Sequence, residues 1–403
     1  VSGKAPPREL LSVDDALARV LEHVRPLAAE RVALADSVSR VLVEPARAVV
    51  DLPPFPSSAM DGFAVRAADT PGTLRIAGRV AAGSPIEAPL APGAAIAIAT
   101  GGAVPEGADS IVPVEHAVEQ DGQIEISERL QPGAHIRPRG GDVYAGEVVV
   151  DIGARLHAAQ VGALAAAGVP EVVCARRPRV AVLATGSELR SPGEPLGAGE
   201  IYESNRTLIA AVLERAGAVV EMLPVVEDDE TAHRGALERG LGSDVLVSSG
   251  GVSMGAHDLV RAVERDLGVE EVFWGVAVKP GKPLSFGVRK NTLVFGLPGN
   301  PVSSLVGSLL FVAPALLALQ HAAQPAPSYD IGRAGAALRR NPHRDEYVRA
   351  RRSSDAQGVL LEPVVGQESH MIVRAASADA LVLVPRGEGQ IDAGAAVRYL
   401  ALA

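Results

Sequence analysis

The spacing of apolar positions changes several times along the chain, and each change marks a segment. In "SVDDALARVLEHVRPL" (12–27) a Ser and two acidic residues precede apolar positions at helical spacing, which predicts a capped helix. From about 74 to 150 the pattern breaks into short apolar runs between Gly/Pro turns: "LRIAGRVAAGSP", "GAAIAIATGGAVPEGADSIVPVE", "GQIEIS" and "GEVVVDIG". These read as closely spaced strands of a small β domain. "HAAQVGALAAAGV" (157–169) returns to helix, so the β part is expected to be an insertion, about 55–145, in an N-terminal helical region of residues 1–177.

From 178 to 323 continuous apolar runs alternate with amphipathic ones: "RVAVLATGSEL", "NRTLIAAVLERAGAVV", "EMLPVVEDD", a helix around 231–241, then "DVLVSSGGVSMG". This predicts a mainly parallel sheet with helices on both faces. Ligands of such sheets sit beyond the carboxyl ends of the strands, where this chain carries "ATGSEL", "VEDD", "SSGGVSMGAHD", "KPGKP" and "GLPGNPVSS". A Pro-rich linker near 324–328 then leads to a short all-β domain, 328–403. The expected fold class is therefore multidomain α/β plus β.

Composition narrows the function classes. A length of 403 residues favours several domains. A net charge of −10 argues against a general nucleic-acid binder. No stretch is expected to approach the roughly 20 apolar residues of a membrane span. No secretory signal is read at the N-terminus, and the single Cys174 excludes a disulfide framework or a multi-cysteine metal site, as in a reducing cytoplasm.

The turns carry the candidate chemistry. In "VSSGGVSMGAHD" a strand ends in two serines and two glycines, which present backbone N–H groups and hydroxyls to a ligand, and Asp258 follows as a candidate metal ligand. "KPGKP" fixes Lys279 and Lys282 on a Pro-restricted turn, suited to phosphate or an oxyanion. Asp61 in "PPFPSSAMDGFAV", Asp142 in "RPRGGDVYAG" and Asp228 in "VVEDDE" lie on acidic turns that are solvated unless a cation gathers them. With no soft-ligand motif, a hard divalent cation held by oxygen is the expectation.

"PPFPSSAMDGFAV", "ATGSEL", "IYESNRTLI", "SSGGVSMGAHD", "KPGKPLSFG", "GLPGNPVSS" and "GQESHMIVRAASADALVLVP", in this order, resemble the MoeA family of molybdopterin molybdenumtransferases, to which the gephyrin E domain is similar. The resemblance covers nearly the whole chain. It implies a homodimer with an N-terminal dimerisation region, an inserted lid-like β domain, a molybdopterin-binding α/β domain and a C-terminal β-barrel. It implies a reaction in which molybdate and adenylylated molybdopterin give molybdenum cofactor and AMP, with Mg²⁺ or another divalent cation. Other molybdenum cofactor biosynthesis proteins are implied as partners, and neither nucleic acid nor membrane.

Carried over by residue, the resemblance implies substrate-binding roles for Thr185, Gly186 and Glu188 in the first loop and for Ser249, Gly250, Gly251 and Ser253 in the second. It implies activity-linked acids at Asp61, Asp142, Asp228 and Asp258, with Glu188, Asp228 and Asp258 as metal ligands. Around the oxyanion it implies Lys279, Lys282, Pro283, Ser303, Arg349 and Ser369. Phe63 stands where many relatives have Tyr, and Ala256-His257 where an acidic residue is common. The rival readings are the adenylyltransferase that precedes this step and a gephyrin-like scaffold. Molybdate and tungstate are not separable from the residues.

Overall fold

The computed structural model describes residues 10–80, 83, 88–226, 229–251 and 259–402. It divides into two compact units. One comprises Val1–Glu30, Ser39–Val43 and Cys174–Ala403, the other Arg31–Val38 and Glu44–Val173.

In the first unit, β1 (Arg179–Ala184), β2 (Val219–Met222), β3 (Val245–Ser249), β4 (Glu270–Trp274), β5 (Ser285–Arg289) and β6 (Thr292–Leu297) form one sheet in the order β2-β1-β3-β6-β5-β4. The β2-β1-β3-β6 pairings are parallel, and β5 and β4 add an antiparallel edge. Alternation along the strands feeds two cores. Val180, Val182, Val245, Val247, Leu293 and Phe295 enter one, whereas Ala181, Leu183, Leu246 and Val294 enter the other. Both faces are therefore covered, as continuous apolar strands require.

Helix α1 (Val13–Glu22) begins where the sequence predicts. The Ser12 hydroxyl oxygen accepts from Asp15 N at 3.0 Å, and Asp14 and Asp15 occupy the positive end of the helix. Its buried face, Val13, Ala16 and Val20, packs into the α/β core, although α1 lies within the N-terminal stretch of the sequence. Helices α2 (Asn205–Arg215), α3 (Glu230–Gly240) and α4 (Leu259–Asp266) connect the strands.

After β6 the chain runs helically from Pro301 to Leu319, 19 residues with a mean hydropathy of 2.2 over its most apolar window. This corrects the reading that no stretch approaches a membrane-spanning length. The helix is nevertheless 72% buried within the protein, and Val306, Leu310, Phe311, Leu316 and Leu319 belong to the main core, which accounts for its apolarity.

The C-terminal strands β7 (Asp330–Ala334), β8 (Asp345–Asp355), β9 (Gly358–Pro363), β10 (Ala380–Val384) and β11 (Ala396–Ala401) close into a barrel in the cyclic order β8-β9-β7-β11-β10-β8. Only β7–β9 is parallel. Val348, Ala350, Val382 and Tyr399 fill the barrel. Tyr347, Leu381, Leu383 and Leu400 instead join the α/β core. Arg349, between Val348 and Ala350, therefore takes the outward side of its strand.

The second unit carries a six-stranded sheet ordered Ser110–Pro113, Gly62–Val65, Ala94–Ile98, Gly72–Val80, Gln123–Ile126 and Ala117–Gln120, antiparallel except for the Ala94–Ile98/Gly72–Val80 pair. Phe63 is buried in one of its two cores. The helix Ala158–Ala166 lies in the same unit.

Candidate functional site

At the carboxyl ends of β1, β3 and β6 the first unit opens a cleft of about 660 Å³. Thr185, Gly186 and Glu188 line it after β1, Ser249, Gly250 and Gly251 after β3, and Pro298, Gly299 and Asn300 after β6. Pro283 of the Lys-Pro-Gly-Lys-Pro turn lines it as well. The placement follows from parallel topology, which brings the loops that follow neighbouring strands to one edge.

The glycines are required by space as well as by conformation. Gly250 has φ +97°, and a Cβ there would lie 2.8 Å from Thr185 O and 3.0 Å from Thr185 Oγ1. Gly251 has φ +65°, and its Cβ would meet Val260 Cγ2 at 2.5 Å. The loops after β1 and β3 are thus in backbone contact. Thr185 N donates to Ser249 O at 3.2 Å and Gly250 N to Leu297 O at 3.1 Å, so the three strand ends are stitched together.

Asn205, at the start of α2, ties two of these loops. Its Nδ2 donates to Ser249 Oγ at 2.9 Å and to Gly299 O at 2.7 Å. Ser249 is buried and also contacts Pro298 O and Ser304 Oγ, both at 3.3 Å. Its hydroxyl therefore positions the loops. Asn205 escaped the sequence reading, as did Tyr202, Glu203 and His370, which also line the cleft. The signal was the segment "IYESNRTLI", which places an Asn at the start of a helix following a short strand. Buried Glu203 accepts from Arg206 N at 2.8 Å and Arg206 Nε at 2.9 Å, so its charge is already paired.

The barrel contributes the segment 366–372. Asn300 Nδ2 donates to Ser369 Oγ at 2.9 Å, Val302 N donates to Ser369 O at 3.1 Å, and His370 and Ile372 line the cleft. Arg349 of β8, 1% exposed, packs against the residues that lead into Ser369. Its guanidinium donates to Gly366 O at 2.9 Å, to Glu368 O at 3.3 Å from both terminal nitrogens, and to Gln367 Oε1 at 3.3 Å. All these acceptors are neutral. Burial pushes the Arg349 pKa down, and the nearby Glu368 charge opposes it. A guanidinium buried without a bonded carboxylate carries a desolvation cost that neutral acceptors and the Glu368 charge offset only in part, and an anionic ligand would offset more of it.

The other expected residues divide. Ser303 is buried at the start of the long helix, and the Gly281 position faces Ser303 O, where a Cβ would lie 3.6 Å away, so the two Pro/Gly turns abut. Lys282 is exposed. Lys279 bonds to Glu346 at 2.9 Å and lines a second cleft, of about 720 Å³, with Arg339, Arg340 and Gln367. Asp61 and Asp142 are exposed residues of the second unit. Asp61 Oδ1 accepts from Thr100 N at 2.6 Å and Thr100 Oγ1 at 2.8 Å, which holds its carboxyl below the usual range. Asp228, Ser253 and Asp258 lie outside the described residues, as do Ala256 and His257.

Among the described residues no three His, Cys, Asp or Glu side chains gather into a metal cage. Glu188 nevertheless brings a carboxylate to the cleft. Its carboxylate sits at the Gly186 turn, within 2.6 Å of where a Cβ at Gly186 would be, and it lines the cleft. Magnesium commonly takes one or two carboxylates and completes its shell with phosphate and water.

Residues 11–168 match the MoeA N-terminal region (domain I and II), residues 181–318 a probable molybdopterin binding domain, and residues 332–402 the MoeA C-terminal region (domain IV). The chain is 34% identical to the molybdopterin molybdenumtransferase of Haemophilus influenzae, over 96% of this chain and 98% of that one. It is 32% identical to that of Bacillus subtilis, over 98% and 94%. A solved molybdopterin biosynthesis MoeA protein from Pyrococcus horikoshii OT3 superposes with a TM-score of 0.83 at 25% identity, covering 98% of this chain and 100% of that one. By motifs, domain order and fold over nearly its whole length, the chain belongs to the MoeA family.

Proposed function

We propose that the chain acts in molybdenum cofactor biosynthesis as a molybdopterin molybdenumtransferase, converting molybdate and adenylylated molybdopterin to molybdenum cofactor and AMP. In this reading the Thr185–Gly186 and Gly250–Gly251 loops and the Gly299–Asn300 turn hold the nucleotide-bearing pterin in the cleft. Glycine backbone at closely packed strand ends lets a ligand approach the loops without side-chain interference, the N–H groups of Thr185, Gly186 and Gly250 being already bonded between strand ends. Arg349, Ser369, Lys282 and Ser303 hold the oxyanion, with Lys279 at the neighbouring cleft.

The observation that carries the oxyanion site is Arg349, a buried guanidinium bonded to carbonyl oxygens of the Gly366–Glu368 loop that leads into Ser369. A dianion beside it would add to the countercharge that Glu368 supplies only in part, and that electrostatic positioning is what the site contributes to the reaction. Glu188 would hold a divalent cation, which when bound neutralises charge on the pyrophosphate linkage. Asp61 and Asp142 are proposed as activity-linked acids.

The proposal includes a homodimer, to be tested by light scattering on the eluted protein, and a reducing cytoplasm, compatible with the buried free thiol of Cys174. The functional test is AMP release from adenylylated molybdopterin with and without molybdate and Mg²⁺. Release stimulated by molybdate is expected. A folded protein that releases no AMP under any of these conditions refutes the assignment.

A further inference from the structure

Residues 189–203 form a small flap in which Leu189–Arg190 pairs in parallel with Ile201–Tyr202. Polar staples hold it. Arg190 bridges to Glu200 at 2.5 Å, Gly197 N donates to Glu200 Oε2 at 2.7 Å, and Glu203 N donates to Arg190 O at 2.8 Å. The flap is thus shaped without fully burying its own apolar side chains, and Tyr202 lines the cleft while remaining 47% exposed.

The Tyr202 hydroxyl donates to Glu194 O at 3.0 Å, within the flap. That bond satisfies the polar tip and restrains the ring of a residue that is half exposed at the cleft. The Gly250, Gly251 and Gly299 side of the cleft presents backbone, with no aromatic side chain at those three positions. Aromatic residues make up only 3% of the chain, so a Tyr at this rim is not a matter of composition.

We propose that Tyr202 is a stacking platform for a flat nitrogen heterocycle of the substrate, adenine and pterin sharing that chemistry. The proposal rests on the reading of the cleft given above. An aromatic ring with its polar tip already bonded gives up little conformational freedom on receiving a planar ring, and stacking of this kind tolerates differences between heterocycles.

The test is calorimetric titration of wild-type protein, Tyr202→Ala and Tyr202→Phe with AMP, 6-hydroxymethylpterin and ribose 5-phosphate. Tyr202→Ala is expected to weaken a ring-bearing probe by on the order of tenfold. The probe that weakens, AMP or the pterin, identifies the stacked ring. Ribose 5-phosphate is expected to bind unchanged, and Tyr202→Phe, which keeps the ring but not the Glu194 bond, to retain most of the affinity lost in Tyr202→Ala. Equal weakening of ribose 5-phosphate would overturn the proposal in favour of a collapsed flap. Wild-type binding with an indifferent Tyr202→Ala overturns stacking alone, whereas wild-type protein that binds no probe overturns the substrate reading of the cleft as well.

Discussion

Replacing Gly250 by Ala isolates the contact between the β1 and β3 loops, because Gly193 supplies a matched control. Both glycines have φ +97°, but a Cβ at Gly193 meets nothing within 4 Å, whereas one at Gly250 lies 2.8 Å from Thr185 O. The backbone conformation costs an L-residue about 1–2 kcal/mol at either position. At Gly250 the obstacle is a backbone carbonyl, which no rotamer change removes, so the ends of β1 and β3 must part. Overpacking of this kind costs about 1–3 kcal/mol more. Gly250→Ala should therefore destabilise by about 2–5 kcal/mol and Gly193→Ala by about 1–2 kcal/mol. Urea unfolding followed by Trp274, the chain's single Trp and a buried residue of the same sheet, reads the difference as a shift in midpoint at unchanged slope. Equal midpoints for the two variants would refute the claim that close backbone approach holds the cleft in shape.

Arg349→Ala should raise the molybdate concentration for half-maximal AMP release by roughly tenfold or more, the worth of one charge-assisted hydrogen bond, while changing AMP affinity by less than about twofold. Unchanged molybdate dependence would make Arg349 a purely structural cation that ties Gly366 and Glu368 to the barrel. Asp61 is held below the usual carboxylate range first by the Thr100 backbone N–H and then by the Thr100 hydroxyl. Its contribution to stability is therefore present above the ordinary carboxylate pKa and lost as pH falls through the depressed folded value. Calorimetry over the range from about pH 5 to about pH 3 should show a shallower acid loss for Asp61→Asn than for wild-type protein, and identical acid limbs would contradict the Thr100 assignment.

Much of the architecture is legible in local pattern. The Ser cap and acidic first turn of α1 and the continuous apolar strands of β1, β3 and β6 report short-range physics, namely periodicity, capping and burial on both faces. Parallel strands then oblige the Thr185, Gly250 and Gly299 loops to share one edge, so the glycine part of the site is foreseeable from their positions. What sequence spacing does not carry is pairing between distant segments. Lys279 meets Glu346, Asn205 joins Ser249 to Gly299, and Ser369 docks on Asn300, each across separations that only chain packing resolves. The same holds for Arg349. Its charge is plain in the sequence, but its burial among carbonyl oxygens follows from the side of β8 that faces the α/β core and from the loop at Gly366–Glu368 that folds over it, both set by tertiary packing.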